Sequence, residues 1–447
     1  MSKAIPVGID YHVSPASGAL QGRIRVPGDK SISHRAVILA SLAGGTSVCD
    51  GFLDSADTRA TMAAFWQMGV DMTLEGECLS VKGVGLNGLG APSGILDLGN
   101  SGTSARLLLG VLAGQKFSST ISGDESLARR PMRRVADPLN AMHADVQTTS
   151  EGTLPAHITG NRRLRGINYE LPVASAQLKS ALLLAGLYAQ GKTVITEPAP
   201  TRDHTERLLA HFGCPVTRSG RRITLESNTL RAGRLRIPGD ISSAAFFLAA
   251  GSIVPGSDLV IEGVGINPTR HAVIEILNRM GADISVSNLD EGSAEPVADL
   301  RVKYRPLHGI RIPRELVPIA IDEFPAIMAA ACHARGETLL EGAAELRLKE
   351  SDRIRALAEG LENIGVAVDM RPDGMRVTGG RPAGGMVQSH GDHRIAMAFS
   401  VAGLAASGSV TVQDCNNVDT SFPGFIDCAR QLGCSVISVS SEAKKND

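Results

Sequence analysis

Residues 22–31 read GRIRVPGDKS, and 211 positions later residues 233–242 read GRLRIPGDIS. Each copy predicts a strand, a Pro-Gly-Asp turn and the start of a helix, because small and apolar residues follow. The N–H groups and the dipole at a helix start suit an anion. The first copy adds Lys30, Ser31 and Arg35 at this point, whereas the second has no charged residue after its aspartate. The sequence therefore predicts a phosphate or carboxylate site built on one copy of a duplicated scaffold.

A shorter repeat lies within this duplication. Runs rich in β-branched residues are each followed by a helical segment, a small-residue turn and another alternating strand. The runs occupy residues 47–48, 120–121, 193–195, 259–261, 338–340 and 410–412. The turns are marked by Gly69, Gly213, Gly281, Gly365 and Gly433, and by His143 in the remaining repeat. The spacing predicts six strand–helix–strand repeats of about 60–80 residues each.

One such repeat cannot bury its apolar face alone, but three together can enclose their helices within a shell of sheets. The predicted fold class is α/β, with two domains of three repeats each. Domain I combines residues 1–26 and 239–447, and domain II is the insertion 27–238. The chain would pass between them at hinges near 26–30 and 237–241. We expect the ligand site in the cleft between the domains.

The bulk composition excludes several classes of function. Lys and Arg total 45 against 46 for Asp and Glu, which argues against a nucleic-acid or membrane surface. Aromatic residues make up 3%, too few for base-stacking platforms. No apolar run is long enough to span a bilayer, and the N-terminus has no basic region followed by an apolar core. Seven cysteines without a CxxC pair favour free thiols. We expect a cytoplasmic monomer.

Three motifs that suggest nucleotides or metals have structural explanations. Residues 186–193, GLYAQGKT, satisfy the Walker A pattern, but they close an apolar helix and open a strand, the reverse of a P-loop. Residues 83–88, GVGLNG, match a dinucleotide-binding glycine pattern, but no helix follows them. In residues 389–394, SHGDHR, a helix start anchored by Asp392 explains the segment as well as a metal does. We expect no metal.

Cationic residues recur beside small-residue turns at predicted helix starts. They are Lys30, Arg35, Arg106, Arg129, Arg130, Arg133, Arg134, Lys179, Arg202, Lys349, Arg353 and Arg394. For any single member, a solvated face or a surface ion pair is an equally good explanation. Together they predict a site for ligands with several negative charges, held from both halves of the chain.

Seven motifs resemble the 5-enolpyruvylshikimate-3-phosphate synthase family, in the family's order and over essentially the whole chain. They are GDKSISHRA (28–36), LGNSGTSARLL (98–108), RRPM (129–132), SAQLKSALLLAG (175–186), IDEFPA (321–326), KESDR (349–353) and GDHRIAM (391–397). The resemblance implies the enolpyruvyl transferase fold, a pair of inside-out α/β domains joined by two crossovers. It also implies an enzyme of the shikimate pathway to aromatic amino acids.

The implied reaction transfers the enolpyruvyl group of phosphoenolpyruvate to the 5-hydroxyl of shikimate 3-phosphate and releases phosphate, without a metal or cofactor. The resemblance assigns shikimate 3-phosphate to Lys30, Ser31, Arg35, Ser175, Gln177, Arg202, Asp322 and Lys349. It assigns phosphoenolpyruvate or its leaving phosphate to Lys30, Gly102, Arg130, Gln177, Arg353 and Arg394. In catalysis, Asp322 resembles the family's acceptor at the 5-hydroxyl and Glu350 its proton-transfer partner at the enol carbon, with Lys30 beside them.

Two positions depart from the family's common pattern. Many members carry a lysine where this chain has Thr420, so one cationic contact to the donor is missing or supplied elsewhere. A common pair of serines is here Ser175 and Ala176, so the second position offers no hydroxyl. Both features resemble the divergent, glyphosate-tolerant branch of the family.

Two other functions remain as alternatives. The enolpyruvyl transferase that acts on UDP-N-acetylglucosamine shares the fold, but it carries a reactive cysteine in a mobile loop, and residues 123–134 contain none. A non-catalytic anion-binding repeat protein would gain nothing from Asp322 and Glu350, since carboxylates do not help to bind anions.

Overall fold

A computed structural model describes residues 8–160, 163–226 and 228–441. Helices and strands are mixed throughout this part of the chain, as the repeat pattern predicts. The helices are α1 (Lys30–Leu42), α2 (Ala56–Gln67), α3 (Gly102–Ala113), α4 (Glu125–Ala128), α5 (Arg133–Ala141), α6 (Ala176–Gly186), α7 (His204–His211), α8 (Ile241–Ile253), α9 (Ala272–Arg279), α10 (Phe324–Ala331), α11 (Arg353–Asn363), α12 (His393–Gly403) and α13 (Phe425–Gln431). The strands are β1 (Gly8–Val13), β2 (Gln21–Arg25), β3 (Gly44–Asp50), β4 (Asp71–Glu75), β5 (Cys78–Val84), β6 (Leu96–Asp97), β7 (Ser119–Ser122), β8 (Val146–Gln147), β9 (Ala156–Ile158), β10 (Asn168–Glu170), β11 (Lys192–Thr196), β12 (Thr217–Ser219), β13 (Arg222–Glu226), β14 (Arg234–Arg236), β15 (Asp258–Gly265), β16 (Asp283–Asp290), β17 (Val297–Lys303), β18 (Glu337–Leu340), β19 (Ala367–Arg371), β20 (Gly374–Thr378), β21 (Gly385–Gln388), β22 (Val410–Gln413) and β23 (Val436–Ser441).

The sheets of the described residues follow one plan. In a complete repeat, two parallel strands flank a helix, and a second helix and an antiparallel hairpin follow. The fourth strand of the repeat lies between the second and the third, as in the sheets β6-β7-β9-β8 and β10-β11-β13-β12. The sheets β14-β3-β5-β4, β2-β15-β17-β16 and β21-β22-β1-β23 have the same order. In the last of these, β1 takes the fourth position, so strands from both ends of the chain complete one sheet.

One sheet lacks its first strand. In β18-β20-β19, the parallel partner of β18 is reduced to isolated bridges, such as Arg311 with Leu339. Pro306 and Pro313 lie in the segment that would form this strand. Because proline has no N–H to donate, it interrupts regular pairing.

The described residues form two compact units. The terminal unit comprises residues 8–27, 239–290 and 297–441, and the inserted unit comprises residues 28–238 and 291–296. These bounds differ from the sequence boundaries at residue 27 and at residues 291–296. The short segment groups with the inserted unit because Glu295 is buried there, 2.7 Å from Nδ1 of His204. Residues 1–7 and 442–447 of predicted domain I lie outside the described residues.

The duplicated sequence marks an exchange of strands. β2 pairs in parallel with β15 of the terminal unit, although α1, which follows it, belongs to the inserted unit. β14 pairs in parallel with β3 of the inserted unit, although α8, which follows it, belongs to the terminal unit. Each copy therefore gives its strand to one unit and its helix to the other.

The turn marks are confirmed by their backbone conformation. The five predicted glycines follow α2, α7, α9, α11 and α13 and have φ between 84° and 99°. His143, which takes the glycine's place after α5, has a φ of 68°. A left-handed residue at this point ends a helix and directs the chain into the next strand.

The helix that follows the first strand of each repeat forms the core. In α1, α3, α6, α8, α10 and α12, every residue beyond the first turn is buried. Close packing requires Gly110 in α3, since a Cβ there would lie 2.2 Å from the carbonyl oxygen of Ala181 in α6. The residues of these helices that are not fully buried all lie in the first turn: Lys30, Ser31, Thr103, Ala176, Gln177 and Arg394. The core therefore reaches solvent at the helix starts.

Candidate active site

Capping side chains fix the helix starts of the inserted unit. Each cap accepts a hydrogen bond from a backbone N–H three residues further on. The caps of α1, α3 and α6 are Asp29, Ser101 and Ser175, with donor–acceptor distances of 2.9, 3.2 and 3.3 Å. These predicted helix starts are confirmed, and their first-turn N–H groups point in the direction from which an anion would approach.

Side-chain hydrogen bonds hold these three helix starts together. Gln177 of α6 accepts from Arg106 of α3 at 2.6 Å and donates to the Thr103 hydroxyl at 3.1 Å. On the other side, the Thr61 hydroxyl of α2 lies 2.6 Å from that of Ser104 and 2.7 Å from Nδ1 of His34 in α1. The starts of three helices, where the dipole favours an anion, are therefore tied to one another.

Lys30 is the first residue of α1, and a neighbouring helix holds its ammonium group. The Lys30 Nζ atom lies 2.7 Å from Oδ2 of Asp57 in α2, and both side chains are largely buried. The next residue, Ser31, accepts a hydrogen bond at its carbonyl oxygen from Nη1 of Arg35 at 2.9 Å. The ion pair restricts the rotamers of the lysine and so orients it before a ligand binds.

Arg35 is buried and supported on both sides. Its Nε donates to Thr205 at 2.7 Å, and its Nη2 donates to Ser180 at 2.8 Å. Burial lowers the pKa of Arg35 to about 10, and although nearby carboxylates oppose this shift, the positive charge of Arg202 adds to it. Arg35 thus stays charged at neutral pH beside a second guanidinium, an arrangement that a phosphate stabilises.

Two guanidinium groups flank the start of α3. A Cβ on Gly102 would lie 3.1 Å from Nη1 of Arg106 and 3.1 Å from Nη1 of Arg130. Arg130 is largely buried, and its Nη2 donates to Asn100 at 2.6 Å. The absence of a side chain at Gly102 therefore leaves space between the backbone and two cations.

The sequence indicates Arg106 as a cation near a helix start, but the family resemblance does not include it among the substrate contacts. The signal was its spacing, since a residue four positions into a helix directs its side chain back towards the N-terminus. Lys179 is the opposite case, a cation that the sequence includes in the site but the structure places elsewhere. It was grouped with the ligand-facing cations, but its side chain is fully buried, 3.1 Å from Glu197 and 2.7 Å from Glu206. Lys179 joins α6 to α7 inside the unit.

The other predicted charges meet in the terminal unit, around Arg353. This side chain is 1% exposed, and its Nε lies 2.7 Å from Oδ2 of Asp392. Nη2 lies 2.7 Å from Glu350, and Nη1 lies 3.4 Å from Asp322. Burial alone would lower the pKa of Arg353, but these carboxylates outweigh burial and hold it above its ordinary value.

Asp392 pairs with Arg353 and also anchors the start of α12, as the sequence predicts. It caps α12 by accepting from the N–H of Arg394 at 2.9 Å, and it accepts from the Ser351 hydroxyl at 3.0 Å. Burial works against its charge, yet Arg353 holds the pKa of Asp392 below the ordinary range. This buried ion pair therefore fixes the start of α12 relative to the start of α11.

Asp322 lies among three cations. Its Oδ1 is 3.2 Å from Nζ of Lys349 and 3.4 Å from Arg353, and its carbonyl oxygen accepts from Arg394 at 3.0 Å. Lys349 precedes α11 instead of lying within it, because the side chain of Asp352 caps that helix at the N–H of Arg355. The terminal unit thus brings together one group of predicted site residues, which are Asp322, Lys349, Glu350, Arg353 and Arg394. The predicted site residues of the inserted unit, from Lys30 to Arg202, form the other group.

Two further sequence interpretations concern loops. GLYAQGKT runs from the end of α6 into β11, which confirms the reversed order of helix and strand and excludes a P-loop there. Thr420 donates to the carbonyl oxygen of Asn417 at 2.6 Å, within a short 3₁₀ turn. Asn417 in turn donates to the carbonyl oxygen of Gly391, which ties this turn to the start of α12.

Comparison with known proteins agrees with this geometry. The family model described as EPSP synthase (3-phosphoshikimate 1-carboxyvinyltransferase) matches residues 15–428. The chain belongs to the EPSP synthase family. It is 57% identical over 441 residues to the 3-phosphoshikimate 1-carboxyvinyltransferase of Alkalilimnicola ehrlichii, covering 98% of each chain. It is 59% identical over 422 residues to that of Methylococcus capsulatus, covering 94% of this chain and 96% of the relative.

A solved structure of an EPSP synthase extends the likeness to the fold. The structure from Acinetobacter baumannii has a TM-score of 0.87 at 48% identity and covers 96% of this chain and 100% of that chain. The predicted enolpyruvyl transferase fold of this EPSP synthase family member is therefore confirmed. Among the described residues, no helix combines the length and the apolar character needed to cross a membrane.

Proposed function

We propose that this chain catalyses the transfer of the enolpyruvyl group of phosphoenolpyruvate to the 5-hydroxyl of shikimate 3-phosphate. The observation that carries this function is full-length identity of 57% to a protein named 3-phosphoshikimate 1-carboxyvinyltransferase. The two cationic clusters support it, because both substrates are polyanions. Retention of Asp322 and Glu350 among the cations favours catalysis over simple anion binding.

The inserted unit supplies most of the contacts to shikimate 3-phosphate. Its phosphate is held by Arg35 and Arg202, since Arg202 lies close enough for its positive charge to lower the pKa of Arg35. Ser175 and Gln177 at the start of α6 bind nearby, with Lys30 and Ser31 at the start of α1. Asp322 and Lys349 bind the same ligand from the terminal unit.

Phosphoenolpyruvate is held by the cations at the other helix starts. Its phosphate lies at the N–H of Gly102, with Arg130, Gln177 and Lys30 around it. Arg394 and Arg353 neutralise its remaining charge from the terminal unit. Arg353 acts largely through the three carboxylates that it already holds, since its side chain is 1% exposed.

The chemistry needs one proton donor and one proton acceptor. Glu350 delivers a proton to the methylene carbon of phosphoenolpyruvate, which makes the neighbouring carbon electrophilic. The 5-hydroxyl attacks that carbon while Asp322 accepts its proton, giving a tetrahedral adduct. Phosphate then leaves, and the methyl group returns a proton to Glu350 to restore the double bond. Proton transfers of this kind contribute roughly 10²–10⁴ to the rate.

One measurement separates this function from its alternatives. Phosphate release from phosphoenolpyruvate is expected to require shikimate 3-phosphate and to be absent with UDP-N-acetylglucosamine. Release with the sugar nucleotide alone would favour the second transferase. Binding of shikimate 3-phosphate without any release would favour an anion-binding protein.

Three finer properties belong to the same proposal. Thr420 and the Ser175-Ala176 pair support membership of the divergent, glyphosate-tolerant branch. The proposed oligomeric state is a monomer. The domains follow the sequence analysis, 1–26 with 239–447 and 27–238, apart from residue 27 and residues 291–296. They close on the ligand at hinges near 26–30 and 237–241.

A further inference from the structure

The motif IDEFPA places two acidic residues side by side, and the proposed reaction uses only the first. The carboxylate of Asp322 lies with Lys349 and Arg353, whereas the side chain of Glu323 contacts the start of α8. Glu323 is buried and precedes α10, yet its side chain caps no N–H of that helix. Because a buried carboxylate is costly unless it is paired, its partners show what it supports.

Two residues hold the Glu323 carboxylate, and a third supports them. The Ser242 hydroxyl donates to Oε1, and Nη2 of Arg270 lies 3.4 Å from the same oxygen. Arg270 Nη2 also donates to Ser242 at 2.8 Å and lies 3.4 Å from Asp240, which caps α8 by accepting from the N–H of Ser242 at 2.8 Å. All four side chains are buried. The cluster therefore joins the start of α8 to the turn before α10.

The second copy of the duplicated sequence supplies half of this cluster. Asp240 and Ser242 occupy the positions that Asp29 and Ser31 occupy in the first copy. In the first copy the helix start lies beside Lys30 and Arg35, as a site for a ligand requires. In the second copy the same type of helix start receives an internal carboxylate, because a negative charge is favourable at that end of the dipole.

We propose that Glu323 is a positioning residue for Asp322. The turn is held from two directions, since Glu323 is anchored at α8 while the Asp322 carbonyl oxygen accepts from Arg394 at 3.0 Å. Consecutive residues of one turn cannot move independently, so losing the Glu323 anchor displaces the Asp322 carboxylate. A displacement of about 1 Å from a distant change can cost roughly 10²-fold in rate. The inference rests on the proposed role of Asp322 as the acceptor of the 5-hydroxyl proton.

The first test is Glu323→Gln, which keeps the size of the side chain and an acceptor for Ser242 but removes the charge opposite Arg270. We expect kcat to fall at least about tenfold while the KM of each substrate changes less than about threefold. This is the pattern for a change that weakens an interaction made only in the transition state. Ser242→Ala should lower kcat in the same direction. Asp299→Asn is the control. Asp299 lies in the same unit and accepts hydrogen bonds from the Gly263 N–H and the Asn288 side chain, so this substitution should leave kcat unchanged.

A double-mutant cycle tests whether Glu323 acts through Asp322. In an Asp322→Ala background, Glu323→Gln should change the residual turnover by less than about twofold, because no carboxylate remains to be positioned. If Glu323→Gln lowers kcat in the Asp322→Ala background by the same factor as in the wild-type background, the inference is overturned. Wild-type kcat in both Glu323→Gln and Ser242→Ala would also overturn it. If Glu323→Gln does not fold, Ser242→Ala is compared in the two backgrounds instead. Wild-type kcat in Asp322→Ala alone would remove Asp322 from the mechanism, which distinguishes failure of its proposed role from failure of the positioning.

Discussion

Gly102 shows how a single missing side chain sets the size of a site. The Nη1 atoms of Arg106 and Arg130 both lie 3.1 Å from where a Cβ would stand. That Arg106 nitrogen is also the donor to Gln177, at 2.6 Å. Arg106 therefore cannot retreat from a methyl group without loosening the bond between α3 and α6.

We expect Gly102→Ala to raise the inhibition constant of glyphosate at least about tenfold, because one methyl group in a packed site costs about 1–3 kcal/mol. Glyphosate is a phosphonate that competes with phosphoenolpyruvate in this family and is slightly longer. The branch that this chain resembles typically has alanine here, so we expect stronger inhibition of this protein than its branch suggests.

Inhibition constants measured against varied phosphoenolpyruvate check this prediction. The KM for phosphoenolpyruvate should rise much less than the inhibition constant. Gly94→Ala is the matched control, because a Cβ at Gly94 would meet no atom within 4 Å. Equal inhibition constants for wild-type and Gly102→Ala would show that other residues set tolerance.

Binding and turnover should separate at the two carboxylates. We expect Glu350→Gln and Asp322→Ala to cripple turnover by roughly 10²–10⁴, because each removes a proton transfer. Shikimate 3-phosphate should still bind within about tenfold of wild-type, since cations and hydroxyls carry the binding. Calorimetry on both variants measures binding, and phosphate release measures turnover. Wild-type turnover in Glu350→Gln would remove Glu350 from the mechanism.

At the scale of single elements, the left-handed turns end the second helix of each repeat. Gly69 has a φ of 87°, and a Cβ there would meet no atom within 4 Å, so conformation alone requires glycine. His143 holds the equivalent position at a φ of 68° without that freedom. Equivalent positions of the repeat therefore hold a glycine, which adopts a positive φ without strain, and a histidine, which is strained there.

We expect Gly69→Ala to lower the free energy of unfolding by about 1–2 kcal/mol, the cost of a left-handed residue with a Cβ. His143→Gly should be neutral or stabilising by up to about 1 kcal/mol, because relief of that strain offsets the greater freedom of glycine in the unfolded chain. Denaturant unfolding of both variants checks the pair. A stability for Gly69→Ala equal to that of wild-type would contradict the conformational explanation.

The sequence predicts elements better than it predicts their partners. The second strand and the turn mark of each repeat are predicted from local patterns, because β-branched runs and left-handed turns depend on neighbouring residues. The sequence also places the two crossings, near 26–30 and 237–241, but it does not identify β15 and β3 as the partners of β2 and β14, since both strands have nearly the same sequence and either would fit the same edge. Lys179 was misjudged for a related reason: its carboxylate partners lie in later elements, and only the packed unit brings them together.

At the scale of the whole molecule, the assigned contacts to shikimate 3-phosphate come from both units. Lys30, Ser175 and Arg202 belong to the inserted unit, and Asp322 and Lys349 belong to the terminal unit. We expect shikimate 3-phosphate to reduce the radius of gyration in small-angle scattering, because one small ligand must reach both sets. Inorganic phosphate at the same concentration is the control. An unchanged radius would mean that the free protein is already closed or that the residue assignments are wrong.

The place of β1 in the last sheet has a consequence for the order in which a newly made chain can fold. Val13 pairs with Val410 and Val436, so β1 is synthesised long before either of its partners. The inserted unit has all of its sheet strands once residue 238 has emerged from the ribosome. β2 can pair with β15 well before then, but until residues 410–441 appear β1 remains a strand with unpaired edges, which is prone to aggregate. Synthesis therefore supplies every strand of the inserted unit first, and the last sheet of the terminal unit forms only after β22 and β23 have been made.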